Sequence, residues 1–376
     1  MILNFKVAII SSQAFSLINF RKEVIQEIIN RGAKVYVLAP DFNNSDKNTL
    51  HELGAIPVDI ELKRLSFGIV KSIIEVYKLV KVLNKIKPNA SLSYFAKPVL
   101  LGNIAAIFSG IKSRFSIIEG LGNSKKLLER NIFFKIIFLL IYKLALYKSI
   151  KVFFTNTEDE LFFLNNRILQ KSQAVLWGGI GVNLDFWKCA RDFDNQENNI
   201  KFIMSTRLLK SKGVLIYLKA AEIIKSQFPE TRFILIGGID DNPNSLKIED
   251  LSYYTDRSIV EWPGNVNDVK QWLSKSDIFV LPSYYGEGVP RSIQEGMSCS
   301  MPIITTDWVG CRETVEPGLN GQLVPIKNVE LLCDAMSFYV LNKKLIKSHG
   351  LMSRQIAKEK FNVKEKSKLI GEYICQ

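Results

Sequence analysis

Histidine is scarce in this chain of 376 residues: His51 and His349 stand alone and far apart. That excludes a His-rich metal centre. No G-x-S-x-G elbow is present either, so a Ser-His-Asp hydrolase has no support. The five cysteines (Cys189, Cys299, Cys311, Cys333, Cys375) form no C-x-x-C, which removes zinc knuckles and thioredoxin-type redox chemistry. A reducing cytosol fits that usage best. No G-x-G-x-x-G follows a strand-like run, which disfavours a Rossmann dehydrogenase. The aromatics sit in apolar runs rather than interleaved with Lys and Arg, which argues against an RNA-binding module and for no nucleic-acid partner.

Long uncharged runs are lacking where a membrane span would need them. In 131–154, NIFFKIIFLLIYKLALYKSIKVFF, the longest uncharged run is Ile136 to Tyr142, far short of the roughly 20 residues that cross a bilayer. Lys135, Lys143, Lys148 and Lys151 interrupt it, with Lys125, Lys126 and Arg130 just before. Two readings stand side by side: a helix lying on anionic lipid, or a core helix with solvated lysines. At the start, MILNFKVAIISSQAF carries Lys6 inside its apolar run and no A-x-A follows, so it reads as a buried strand and not as a signal peptide.

Charge is plentiful but uneven. Residues 1–185 hold 25 Lys+Arg against 14 Asp+Glu, and residues 186–376 hold 25 against 23, so nearly all of the net +13 lies in the first half. An anionic partner facing that half is expected: nucleic acid, acidic lipid or a pyrophosphate substrate.

Short apolar runs alternate with helical spacing. FKVAII (5–10), KVYVLA (34–39), RFSII (114–118) and KVFFT (151–155) read as strands, with helices over 18–31 and 66–86. The rhythm restarts with KFIMS (201–205), RFILIGG (232–238), IFVLPS (278–283) and PIITT (302–306). This predicts two α/β domains, each a doubly wound parallel sheet. The polar KCARDFDNQENN (188–199) is the expected linker. The division is then 1–187, a linker 188–199, 200–355, and a C-terminal helix 356–376 packing back on the first domain. Sites in such sheets lie at the carboxyl ends of strands.

Two segments carry chemistry. In STRLLKSKG (205–213), Arg207 and Lys212 sit on a strand-to-helix loop: one can grip phosphate oxygens bidentately, the other as a point charge. In LPSYYGEGVPRSIQEGMSCSMPIITTD (281–307), a helix is expected to start near Val289-Pro290, proline being favoured in a first turn. Its N-terminus offers N–H donors to a diphosphate. Glu295 could accept hydrogen bonds from a ribose diol, and Glu287 could bind another hydroxylated group. Taken singly, a basic loop and two surface glutamates explain these residues as well.

Together and in this order, R-x4-K-G, F-V-L-P-S, E-G-x-P-x-S-x-x-E-G and P-I-I-x-T-D resemble the retaining glycosyltransferases of family 4. GNVNDVKQWLSKSDIFVLPS (264–283) and GGIGVNLDFW (178–187) extend the resemblance. SYFAKPVLLGNIAA (93–106) and IIEGLGN (117–123) are similar to elements of a bacterial subgroup that acts on lipid-linked sugars. The resemblance implies a GT-B fold, two Rossmann-like domains facing a central cleft. It implies transfer, with retention, of an N-acetylhexosamine such as GalNAc from a UDP-sugar to an undecaprenyl-diphosphate-linked saccharide in surface-glycan synthesis.

By the same resemblance, Arg207 and Lys212 hold the diphosphate and Glu287 contacts the donor sugar, the three forming the catalytic set. Gly288, Val289 and Pro290 lie by sugar and phosphates, Glu295 binds the ribose, and the Val266 main chain meets uracil. Lys97, Gly120 and Gly122 are the acceptor-side candidates, although a surface lysine before a helix starting at Pro98 explains Lys97 as well. No cofactor or metal is implied, consistent with the lack of a D-x-D near these elements. The enzyme would be cytoplasmic and peripheral, its basic half on the anionic inner face of the membrane. Two departures stand out. The loop after the first strand, SSQAFSLINFR (11–21), lacks the usual glycines, and Ala96 stands where relatives can carry histidine. The alternatives are a nucleotide-sugar epimerase of similar fold and a basic nucleic-acid-binding protein.

Overall fold

The computed structural model describes residues 5–62, 68–122, 128, 130–190, 199–240, 242–286 and 288–376. Glu287, Lys125, Lys126 and most of the expected linker (191–198) lie outside the described residues. The chain divides into two compact units, Met1–Ile180 with Val363–Gln376, and Gly181–Asn362.

The first unit carries β1 (Lys6–Ile10), β2 (Lys34–Ala39), β3 (Ile56–Asp59), β4 (Ala90–Tyr94), β5 (Ser113–Ile118), β6 (Lys151–Phe154) and β7 (Ala174–Leu176). They form one sheet in the order β3-β2-β1-β4-β5-β6-β7, all pairs parallel. Its helices are α1 (Ala14–Phe20), α2 (Lys22–Asn30), α3 (Asn44–Glu52), α4 (Ile69–Ile86), α5 (Asn103–Phe108), α6 (Ile132–Ala145) and α7 (Thr157–Asn165). β1 shows why both faces must be covered. Val7 and Ile9 enter a core with Leu17, Val24 and Ile28 of α1 and α2, while Ala8 and Ile10 enter another with Leu79 and Leu83 of α4. Side chains alternate across a strand, so an uninterrupted apolar run needs helices on both sides. Local signals start several helices: Asn43 and Asp46 form a capping box at α3, and the Asn131 side chain accepts from Phe134 N at α6.

The second unit follows the same plan. Its elements are β8 (Lys201–Ser205), α8 (Val214–Gln227), β9 (Arg232–Ile236), α9 (Glu249–Asp256), β10 (Glu261–Gly264), α10 (Val269–Ser274), β11 (Ile278–Leu281), α11 (Arg291–Ser298), β12 (Ile303–Thr306), β13 (Gly321–Val324), α12 (Val329–Leu341) and α13 (Lys344–Lys360). The sheet runs β10-β9-β8-β11-β12-β13, again parallel. Phe202 stacks on Phe233 with centroids 5.2 Å apart, and the buried Tyr217 hydroxyl lies 3.0 Å from the carbonyls of Phe202 and Ile234. Burial pushes that phenol well above its usual range, so it stays neutral. The last helix, α14 (Val363–Ile374), packs on α2 and places Ile370 and Ile374 in the first unit's core.

Several local expectations need correction. The segment 18–31 is two helices, because Arg21, at φ −129° and ψ 5°, ends one and begins the next. The helix placed near Val289-Pro290 begins at Arg291, with Pro290 as its N-cap. Cys189 and Cys299, 110 residues apart, are joined as a disulfide with Cα atoms 4.8 Å apart, a pairing that sequence spacing did not suggest. The 131–154 stretch holds one helix, α6, with only its Tyr142 and Ala145 fully buried. No helix among the described residues is long and apolar enough to cross a membrane.

Candidate functional site

In both sheets the strand order reverses beside the first strand of the unit, between β1 and β4 and between β8 and β11. Crossovers leave that point in opposite directions, which opens a crevice at the carboxyl ends of the two strands. Arg207 and Lys212 follow β8, and the 282–290 segment follows β11, so both flank the reversal in the second unit.

The loops there are knitted through their backbones. Thr206 N donates to Ile236 O at 3.0 Å, Leu208 N to Gly238 O at 3.2 Å and Gly237 N to Gly264 O at 3.0 Å. Tyr284 N donates to Ser211 O at 2.9 Å, which ties the cationic loop to the loop after β11. Two glycines permit these approaches. Gly213 (φ +78°) lies so near Pro282 that a Cβ would overlap its carbonyl, and Gly237 (φ +138°) stands likewise against the Thr206 carbonyl. The Thr305 hydroxyl donates to Leu281 O at 2.7 Å and the Thr306 hydroxyl to Ser283 O, holding the β11 loop from its other side.

Within this frame the two cations differ. Arg207 is half-exposed, and its Nη1 donates to Asp240 Oδ2 at 3.1 Å. Lys212 is buried, with Nζ 5.2 Å from the centroid of the Tyr285 ring. Val289 is buried in the core and Pro290 caps α11, so the start of that helix is anchored. The Gln294 side chain reinforces it, donating to Val289 O at 3.1 Å and accepting from Gly181 N at 3.0 Å. Gly296 lets α11 sit on β11, since a Cβ there would come within 2.9 Å of the Phe279 ring. Glu295 lies one turn into α11, its Oε1 accepting from Arg291 Nε at 3.0 Å. Burial pushes its carboxyl above the usual range, and the Arg291 charge and hydrogen bond partly oppose that. Val266 is half-buried on the loop after β10, beside Asn265, which crowds Gly238.

Arg207, Lys212, Val266, Gly288, Val289, Pro290 and Glu295 therefore all belong to the carboxyl edge of one sheet. Lys97, Gly120 and Gly122 belong to the other unit, after β4 and β5. Lys97 is not a surface lysine. It is mostly buried, with Nζ 2.6 Å from Glu75 Oε2 on α4. Gly120 has φ +110° and Gly122 φ +57°. Beside them Arg21, fully buried, pairs with Glu119 and lies 4.9 Å over the Tyr94 ring and 5.8 Å over Trp177. Burial pushes the Tyr94 phenol up to about 12, against the opposing pull of Arg21 and of hydrogen bonds with Ser11 and Ser16. This cluster takes up the glycine-free loop after β1.

Sequence reasoning missed Arg291, Asp240, Glu75 and the Arg21–Glu119 pair. Arg291 and Glu295 are an i, i+4 pair and could have been found. Glu75 lies 22 residues from Lys97 and carries no local signal of the pairing.

Residues 185–356 match the family of glycosyl transferases group 1. The chain is 27% identical over 356 residues to the N,N'-diacetylbacillosaminyl-diphospho-undecaprenol alpha-1,3-N-acetylgalactosaminyltransferase of Campylobacter jejuni, covering 90% of each chain. Residues 185–356 are a group 1 glycosyltransferase domain, and the protein is a glycosyltransferase. It is also 26% identical to the Escherichia coli UDP-Gal:alpha-D-GlcNAc-diphosphoundecaprenol alpha-1,3-galactosyltransferase, over 71% of this chain and 69% of that one. Among solved structures, a glycosyltransferase from Rickettsia africae superposes with a TM-score of 0.78 at 16% identity, each chain covered completely. Anabaena HepE in complex with UDP and glucose does so with a TM-score of 0.75 at 16% identity, over 98% of this glycosyltransferase and 99% of HepE. The fold is GT-B, as the motifs implied.

Proposed function

We propose that this glycosyltransferase moves an N-acetylhexosamine, such as GalNAc, from a UDP-sugar to an undecaprenyl-diphosphate-linked saccharide in bacterial surface-glycan synthesis, with retention at the anomeric carbon. The observation that carries the donor side is the joining of the Arg207–Lys212 loop to the β11 loop at the strand-order reversal. Names of the curated relatives support the lipid-linked acceptor.

In this reading Arg207 grips the diphosphate as a fork and Lys212 as a point charge, stabilising charge as the sugar–phosphate bond breaks. Glu295, in its carboxylate form, accepts from the two ribose hydroxyls, and Arg291 favours that form. Val266 meets uracil through its main chain, Gly288 to Pro290 line the sugar and phosphates, and Glu287 contacts the sugar. The acceptor hydroxyl attacks on the face the diphosphate leaves. Its proton passes to the departing phosphate oxygen, so the products are UDP and the extended saccharide. Two cations, Lys212 held by burial and Arg207 half-exposed, supply the positive charge with a helix N-terminus, and activity is expected to persist in chelator. Lys97, Gly120 and Gly122 face the acceptor, whose lipid anchor keeps the enzyme peripheral on the inner face of the cytoplasmic membrane.

The test is a panel of UDP-sugars against short polyprenyl-diphosphate saccharides, read by product mass. One UDP-N-acetylhexosamine should add a single residue. Glu295→Ala should lower kcat/KM by about 10²-fold or more, as loss of charge-assisted hydrogen bonds does. Full activity in Glu295→Ala, or turnover of donor without acceptor, refutes the assignment.

A further inference from the structure

Helices α4 and α6 carry apolar surface that the first unit leaves uncovered. On α4, Ile69, Ile73 and Tyr77 are 83, 63 and 59% exposed, one per turn on a single face, while Leu79, Leu83 and Ile86 fill the core. On α6, Phe133, Leu140 and Leu144 are 76, 62 and 60% exposed, and the stripe continues through its other turns. Single exposed apolar residues are ordinary, but a continuous stripe on each of two helices is not.

Both helices cover the same side of the sheet and flank the segment from Pro98 through α5. The next strand fixes the direction of each. The C-terminal end of α4 leads into the start of β4, and that of α6 into the start of β6. Their N-terminal turns, where the apolar residues concentrate on α4, therefore lie at the carboxyl edge, where Lys97, Gly120 and Gly122 sit.

The charge around the stripes is mostly of one sign, the exposed Glu61 being paired with Lys78 of α4. No Asp or Glu occurs from Asn131 to Phe154, which holds four lysines. The single acid within α4 is Glu75, and it is turned inward to Lys97. Lys71, Lys143 and Lys148 are exposed beside the apolar residues. A second copy of this face would set lysines mostly against lysines, since among the described residues Glu75 is turned inward and Glu61 is already paired with Lys78. An anionic bilayer accepts both features, acyl boundary for the side chains and headgroups for the lysines.

We propose that the exposed faces of α4 and α6 form one docking surface for an anionic lipid bilayer, seating the carboxyl edge of the first sheet at headgroup level, where a diphosphate on a lipid carrier lies. The proposal rests on the lipid-linked acceptor reading, and the experiment separates the two. The full-length protein is co-sedimented with vesicles of phosphatidylcholine alone or mixed equally with phosphatidylglycerol. Binding to the mixed vesicles should exceed binding to phosphatidylcholine by about tenfold or more, and should fall steeply in about 1 M salt, where the Debye length is about 3 Å. Ile73→Asp with Leu140→Asp should weaken binding by about tenfold or more. Lys143→Glu with Lys148→Glu should do the same without altering an apolar residue. Both variants should keep wild-type kcat on a short-chain, water-soluble acceptor. Wild-type binding in both variants overturns the proposal, as does self-association of the wild type abolished by the same substitutions in place of vesicle binding. Activity on the soluble acceptor without vesicle binding refutes docking alone. Vesicle binding through these residues without transfer to any polyprenyl acceptor refutes the acceptor reading alone.

Discussion

Glu295 is a carboxylate in a place that disfavours charge, and Arg291 is the neighbour that partly opposes this. Burial raises its pKa and the Arg291 guanidinium lowers it. Removing Arg291 leaves desolvation unopposed, so the carboxyl titrates at still higher pH. If the ionised form holds ribose, the acid limb of UDP affinity should move to higher pH in Arg291→Ala, with affinity at alkaline pH changed less. UDP titrations across the acid and neutral range check this; an unmoved limb separates Glu295 from donor binding. The other cations act in different settings. Arg207, bonded to Asp240 and half-exposed, can swing to a ligand, whereas Lys212 is held by burial against Tyr285. Neither setting was visible in sequence, because Asp240 and Tyr285 reach these side chains only through loop packing.

At the scale of elements, the site depends on close backbone crossings. Gly213→Ala places a Cβ into the Pro282 carbonyl at a positive φ. It should destabilise the second unit by at least about 1–3 kcal/mol and raise KM for the donor, because the cationic loop must lift off the β11 loop. Urea unfolding with an unchanged m-value and a lower midpoint is the expected result. Burial decides which elements the sequence revealed. The eight runs read as strands are mostly apolar and buried on both faces beyond their first residue or two. Four of the five that escaped notice, β3, β7, β10 and β13, are the edges of the two sheets, short and partly solvated. β10 even contains Pro263, tolerable on an edge that lacks a partner on one side. The fifth, β4, reads ASLSY; its serines and tyrosine are buried at the reversal beside Arg21, which polarity alone does not betray. The site motifs were legible because loop chemistry at a strand end is local in sequence. The Lys97–Glu75 and Arg21–Glu119 pairs were not, being made by tertiary packing.

At the scale of the whole molecule, the chain returns to its first unit at the end. The α14 helix buries Ile370 and Ile374 there, and Trp177 Nε1 donates to Lys366 O at 3.2 Å. Deleting residues 363–376 should cost about 1.5–3 kcal/mol for each isoleucine uncovered and lower the first unit's unfolding transition. Thermal unfolding of the truncated chain checks this, and an unchanged transition contradicts the packing role. In the proposed reading the charge asymmetry has a matching logic, with the basic first half serving an anionic acceptor and the near-neutral second half the nucleotide. The most direct measurement is the dissociation constant of UDP for the wild type and for the Arg207→Ala, Lys212→Ala double variant, in chelator. Without its two charge-assisted grips on the diphosphate, the variant should bind UDP about 10²-fold or more weakly. Equal affinity in the two proteins, or UDP binding that requires a divalent ion, would contradict the account.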